Sequence, residues 1–139
     1  MRFATTSAVL LASIAVAACG ESSQDKAQTQ VCNARADISK QVDELKGMTP
    51  ATITADAASK NLSAIRGDLQ RIGDAQADLA DDRRQQVQQA NQEFAAKVKS
   101  VLGQVFRSTS AGDAKSELTT AVQQLADTYE QTYARVDCN

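Results

Sequence analysis

Four stretches of the chain repeat apolar residues at helical spacing. Val31, Ile38, Val42 and Leu45, with Arg35 in register between them, step by three and four, so the apolar members share one helical face. Gly47, Thr49 and Pro50 break the pattern, and Thr49 before Pro50 reads as an N-cap with proline in the first helical position. A second stripe follows at Leu62, Ile65, Leu69 and Ile72, and Gly73-Asp74 ends it. The third carries Val87, Asn91, Phe94, Val98, Val101 and Val105, with Asp78 or Asp81 as its cap. After a break at Ser108–Gly112, where Ser108 or Ser110 is the candidate cap, the fourth carries Leu118, Val122, Leu125, Tyr129 and Val136 and runs to the end of the chain. Tyr133 lies near that stripe.

Each helix is apolar on one side only and must bury that side against partners. Short connections make sequential helices antiparallel neighbours. The pattern therefore predicts an all-α domain over residues 29–139, an up-down-up-down four-helix bundle. The alternative is a three-helix bundle with one long helix bridging residues 73–80; Gly73 and the aspartates after it favour four. Gly67 and Gly103 fall inside the second and third helices, where they mark close crossings or kinks or are simply tolerated at ~1 kcal/mol each. Composition agrees with helices. Aromatic residues make up 4% of the chain, with no Trp and a single Pro, a poor inventory for a β-sandwich or barrel.

The first residues have another character. Arg2 precedes a charge-free run from Ala4 to Ala18 with Val9, Leu10, Leu11, Ile14 and Val16 at its centre. The run is shorter than the ~20 residues of a membrane span and ends in small residues, as an export signal does. Ala15-Val16-Ala17 reads as an ordinary A-x-A cleavage site, and a retained, uncleaved anchor is a further alternative. Val16-Ala17-Ala18-Cys19-Gly20, however, resembles the lipobox of bacterial lipoproteins. That resemblance covers residues 1–20. It implies that residues 1–18 are a signal peptide and that Cys19 becomes the acylated N-terminus, anchored by two or three chains, enough for stable membrane attachment. It also implies an exported protein, with its domain in the periplasm or at the cell surface. Residues 19–28 then form the lipidated terminus and a polar, flexible tether.

Cysteine parity favours lipidation. The chain has three cysteines, Cys19, Cys32 and Cys138, and consuming Cys19 leaves one pair in an oxidising compartment. An up-down-up-down bundle starts its first helix at the end where its fourth finishes. The topology thus brings Cys32 and Cys138 together, and a structural disulfide is expected rather than a redox pair, whose cysteines are usually close in sequence.

Candidate chemistry is sparse. There is no histidine, so histidine-based triads and metal sites are excluded. No Gly-rich phosphate loop is present. Asp74, Asp78, Asp81 and Asp82 are the one dense acidic cluster; Ca²⁺ takes several oxygens, but the loop spacing is missing and Arg83-Arg84 follow at once. Acidic residues at a helix start are what the macrodipole favours, so no metal or cofactor is expected. A formal charge of −2 and a pI near 5.1 argue against nucleic acid. Gln85–Gln89 reads as a polar helix face, and Asn91 as the edge of its stripe. Tyr129 and Tyr133, four residues apart, offer a possible contact surface, with core packing as the commoner role.

Carboxylates outnumber cations in the half of the bundle nearest the tether, and cations slightly outnumber carboxylates in the far half. This argues against the bundle lying flat on anionic lipid and leaves loops 46–52 and 107–113 free to meet a partner. Three function classes follow: a non-enzymatic envelope lipoprotein that binds a protein or polymer, a small-ligand carrier with a cavity in the bundle, and an enzyme working through carboxylates alone. A carrier calls for apolar residues beyond the four stripes, and an enzyme for titratable groups converging on them. Few of the former and none of the latter are found, so the partner-binding module is expected.

Overall fold

Ser22 caps the first helix. Its Oγ accepts from the Asp25 backbone N–H at 3.1 Å, and the Asp25 carboxylate accepts from the Ser22 N–H at 3.3 Å, a capping box. The computed structural model describes residues 20–107 and 112–138. Helix α1 spans Ser23–Lys46, so it starts six residues before the predicted boundary. Most of the expected tether is helix, and its Ala27 is buried. Only Gly20–Ser22 remain non-helical before it.

The turn after α1 also differs from expectation. Thr49 does not cap a helix. Its carbonyl accepts from Ile53 N–H at 2.8 Å, and its own N–H donates to Thr52 Oγ1 at 2.8 Å, closing a turn that contains Pro50. This turn inserts Ile53 into the core. The cap is Thr54, whose side chain accepts from Ala57 N–H at 3.1 Å, and α2 spans Ala55–Ala75. A 3₁₀ turn, Gln76–Asp78, leads to α3, Asp81–Arg107. Asp81 and Asp82 lie in the first turn of α3, inside the helix rather than capping it, where its dipole favours negative charge. The candidate caps Ser108 and Ser110 lie outside the described residues. Helix α4 spans Gly112–Thr132. It does not run to the chain end but tightens into a 3₁₀ turn, Tyr133–Arg135.

The architecture is the predicted up-down-up-down four-helix bundle. α1 packs against α2 and α4, and α3 packs against α2 and α4, so the helices form a ring in chain order. The predicted apolar stripes are the core: Val31, Ile38, Leu45, Leu62, Ile65, Ile72, Val87, Val98, Val101 and Leu125 are all nearly inaccessible. The centre near the Cys32 end is aromatic. Phe94 meets Tyr129 and Tyr133 edge-on at ring-centre separations of 5.8 and 5.6 Å, within the favourable range for such pairs.

The disulfide closes the bundle. Cys32 and Cys138 are bonded with Cα atoms 5.6 Å apart, 106 residues apart in sequence. Around them, side chains collect the carbonyls of the final segment. Arg35 donates to Val136 O, Arg83 and Gln28 to Asp137 O, and Gln86 to Arg135 O. Arg84 does the same for the α2–α3 connection, donating to the carbonyls of Gln76, Ala77 and Leu79. These are backbone acceptors that a helix end leaves without partners. Neither Gly67 nor Gly103 marks a close crossing: a Cβ on Gly67 would meet nothing within 4 Å, and one on Gly103 only the Arg107 guanidinium at 3.9 Å.

Candidate partner-binding groove

The residues singled out in the sequence separate into different roles. Cys19 and the export segment lie outside the described residues. Tyr129 and Tyr133 take the core-packing role, and Tyr129 shows an edge in the hollow between α1 and α4. Both are buried, at 5% and 0% exposure, because the 3₁₀ turn after α4 rolls Tyr133 inward over Phe94. Tyr129 donates to Arg35 O at 3.3 Å, and Tyr133 donates to Asn91 Oδ1 at 2.7 Å. Burial, and secondarily the neighbouring Tyr129, push the Tyr133 phenol well above its ordinary range. Asn91 is half-buried at the stripe edge, as expected.

The four aspartates do not converge. Asp81 pairs with Arg84 at 3.2 Å, and no group of three or more Cys, Asp or Glu side chains among the described residues is placed to hold a metal ion. The one buried carboxylate among the described residues, Asp68, is 5% exposed and is held by Arg71, which also reaches Asp37 on α1 at 3.2 Å. These two carboxylates, Asp68 foremost, raise the Arg71 pKa. The cluster clips α2 to α1.

The surface feature with binding character lies between α2 and α3. It is a groove of about 840 Å³ whose floor includes Leu69, Gly73, Ala95, Leu102 and Gly103. Leu69 and Leu102 show only their edges, at 6% and 7% exposure. Gly73 on α2 and Ala95 and Gly103 on α3 leave space that larger side chains would fill. Asn91, whose Oδ1 is already engaged by Tyr133, lies at one end with its Nδ2 3.8 Å from where a Cβ on Gly73 would stand. Phe106 stands at the other end with 71% of its surface exposed, the one large hydrophobic side chain so exposed among the described residues. From Asn91 to Phe106 the groove runs along about four turns of α3, ~22 Å. Arg66 on α2 and Lys99 on α3 line its walls, and Asp74 lies near the Asn91 end.

Other surface hollows are less apolar, among them one between α1 and α4 and one between α3 and α4. The one between α1 and α4 runs beside the disulfide and is lined by Arg35, Lys40, Asp43 and Glu44. The one between α3 and α4 is lined by Gln104, Arg107, Glu117 and Gln124.

The sequence points to loops 46–52 and 107–113 for partner contact, not to this groove, and most of the second loop lies outside the described residues. The groove's signals were present: Phe106 falls off the α3 stripe, next to stripe member Val105, and Gly73 and Gly103 bracket the interface. Neither glycine announces a groove until the facing helix is known. No helix among the described residues is long and apolar enough to cross a membrane. No family model, curated protein or solved structure matches the chain.

Proposed function

We propose that this protein is a lipid-anchored lipoprotein of the bacterial cell envelope whose bundle binds a partner protein through the α2–α3 groove and performs no catalysis. The observation that supports this reading is the exposed Phe106 above a floor of small and apolar residues. An exposed aromatic beside a depression is the usual make-up of an anchor point in a protein interface. The space between the four stripes is filled by Phe94, Tyr133, Ile65 and Leu125, which favours a surface-binding role over a carrier with an internal ligand.

The anchor rests on the lipobox-like Val16–Gly20 and on cysteine parity, since Cys32 and Cys138 are paired. With only Gly20–Ser22 between Cys19 and α1, the spacer reaches about 10 Å at most. The bundle is held close to the lipid, and its Asn91 end is the near one. The Phe106 end stands away from the membrane by about the length of α1, ~36 Å.

Fractionation of cells expressing the full chain tests this proposal. Wild-type protein should sediment with membranes and carry acyl mass on Cys19, and Cys19→Ser should be released. An unchanged membrane fraction together with an unmodified Cys19 would refute the anchor. A melting-temperature rise with small metabolites, in place of protein binding, would favour the carrier.

A further inference from the structure

We infer that the α2–α3 groove receives an amphipathic helix of another protein, apolar face down, with a carboxylate placed between Arg66 and Lys99. The inference rests on the partner-binding reading and names the chemistry of the partner.

Three features of the groove carry it. Its setting fits a helix: it lies between two antiparallel helices and is about four turns long. Its lining includes Leu69, Gly73, Ala95, Leu102 and Gly103, apolar or small, and leaves room for the apolar face of a helix. Its charge is unbalanced. Arg66 lies seven residues before Gly73 and Lys99 eight residues after Asn91, and Gly73 faces Asn91, so the two cations sit at one level on opposite walls. Neither has an ion-pair or hydrogen-bond partner among the described residues. Elsewhere on the bundle Arg35, Arg71, Arg83 and Arg84 are each engaged with carbonyls or carboxylates.

Two free cations flanking an apolar floor are complementary to an acidic residue beside an apolar stripe. Asp74, near the Asn91 end, adds a polarity. Two turns separate it from Arg66, so a partner helix with its carboxylate at the cations and a Lys or Arg about seven residues away meets both charges. A second copy of this chain fits less well. Laying two such grooves together in parallel sets Arg66 against Lys99. Laying them antiparallel sends the two N-termini, and with them the anchors, to opposite ends.

The test uses the full chain in detergent and two synthetic helices about 16 residues long, each with a Leu stripe at i, i+4 and i+7. One carries Glu on both sides of the stripe and the other carries Lys. The Glu peptide should bind about tenfold more tightly than the Lys peptide. Arg66→Glu with Lys99→Glu, exposed positions whose reversal leaves the core intact, should invert that preference, and Phe106→Ala should weaken the Glu peptide without inverting it. Circular dichroism confirms that each variant is folded. Equal affinity for the two peptides, or a preference that the double reversal leaves unchanged, would overturn the inference. So would saturable self-association through the groove, detected as a covalent dimer of Gln70→Cys. The anchor reading stands or falls separately on the fate of Cys19→Ser.

Discussion

The Tyr133 hydroxyl donates a 2.7 Å hydrogen bond to Asn91 Oδ1, joining the turn after α4 to the middle of α3. One bond thus links the aromatic centre of the core to the end of the α2–α3 groove. Asn91 presents its other amide atom toward Gly73, so the groove end is shaped from inside the bundle. Tyr133→Phe should lower stability by ~1 kcal/mol, the usual net worth of such a bond. It should also alter the alkaline limb. Folding raises the phenol above its ordinary value of 10.0, so the folded state holds the proton more tightly than the unfolded chain. The stabilisation is complete below pH 10 and is lost as pH rises beyond it. Urea titrations from pH 8 to 11 should show a steeper loss in wild type than in Tyr133→Phe.

The Cys32–Cys138 bond closes a loop spanning nearly the whole described chain. A loop of that length contributes ~4–5 kcal/mol in the chain-entropy account, and measured losses run ~2–5 kcal/mol. The double change Cys32→Ser, Cys138→Ser should fall in that range by urea denaturation, while far-ultraviolet circular dichroism in the cold stays helical. The four stripes specify the packing without the bond. Loss of the helical spectrum would show instead that the disulfide is required for the fold.

The legibility of this chain follows from which forces act at each place. The stripes were readable because burial imposes a 3.6-residue period, and each of the four helices appears where its stripe is. The disulfide followed from topology and parity. The helix ends were less readable. Ser22 and Asp25 carry the capping-box spacing, but the residues after them are almost all polar, so composition suggested a tether. Thr49-Pro50 has the form of a helix start, yet burial of Ile53 held that segment as a turn and moved the cap to Thr54. The inward position of Tyr133 depends on α4 tightening at Thr132, which no local pattern signals. The groove depends on where small residues of α2 and α3 come to lie once the two helices pack, and that relationship is written in the fold rather than in either segment.

Gly67 lies on the exposed face of α2, with open space where a Cβ would stand and an ordinary helical backbone. Gly67→Ala should therefore stabilise the protein by ~0.5–1 kcal/mol, by removing freedom from the unfolded chain and adding helix propensity. A thermal melt of the variant checks this; a lower midpoint would mean that the glycine has a role its surroundings do not reveal.

The early start of α1 depends on its cap. Ser22→Ala removes the acceptor for the Asp25 N–H and should cost ~1 kcal/mol. Hydrogen exchange localises the effect: protection should fall in residues 24–30, including buried Ala27, and remain unchanged around Ile38. Uniform loss across the bundle would contradict a local capping role.

The account turns on whether the α2–α3 groove is where this protein meets its partner. Site-specific photo-cross-linking in intact cells reads this directly, with a benzoylphenylalanine placed at Phe106, at Gln70, and at Asp43 in the hollow between α1 and α4. The account predicts one discrete adduct of the same mass from Phe106 and Gln70, none from Asp43, and loss of the adduct when Arg66 and Lys99 are both changed to Glu. Adducts from Asp43 equal to those from the groove, or no discrete adduct from either groove position, would contradict it.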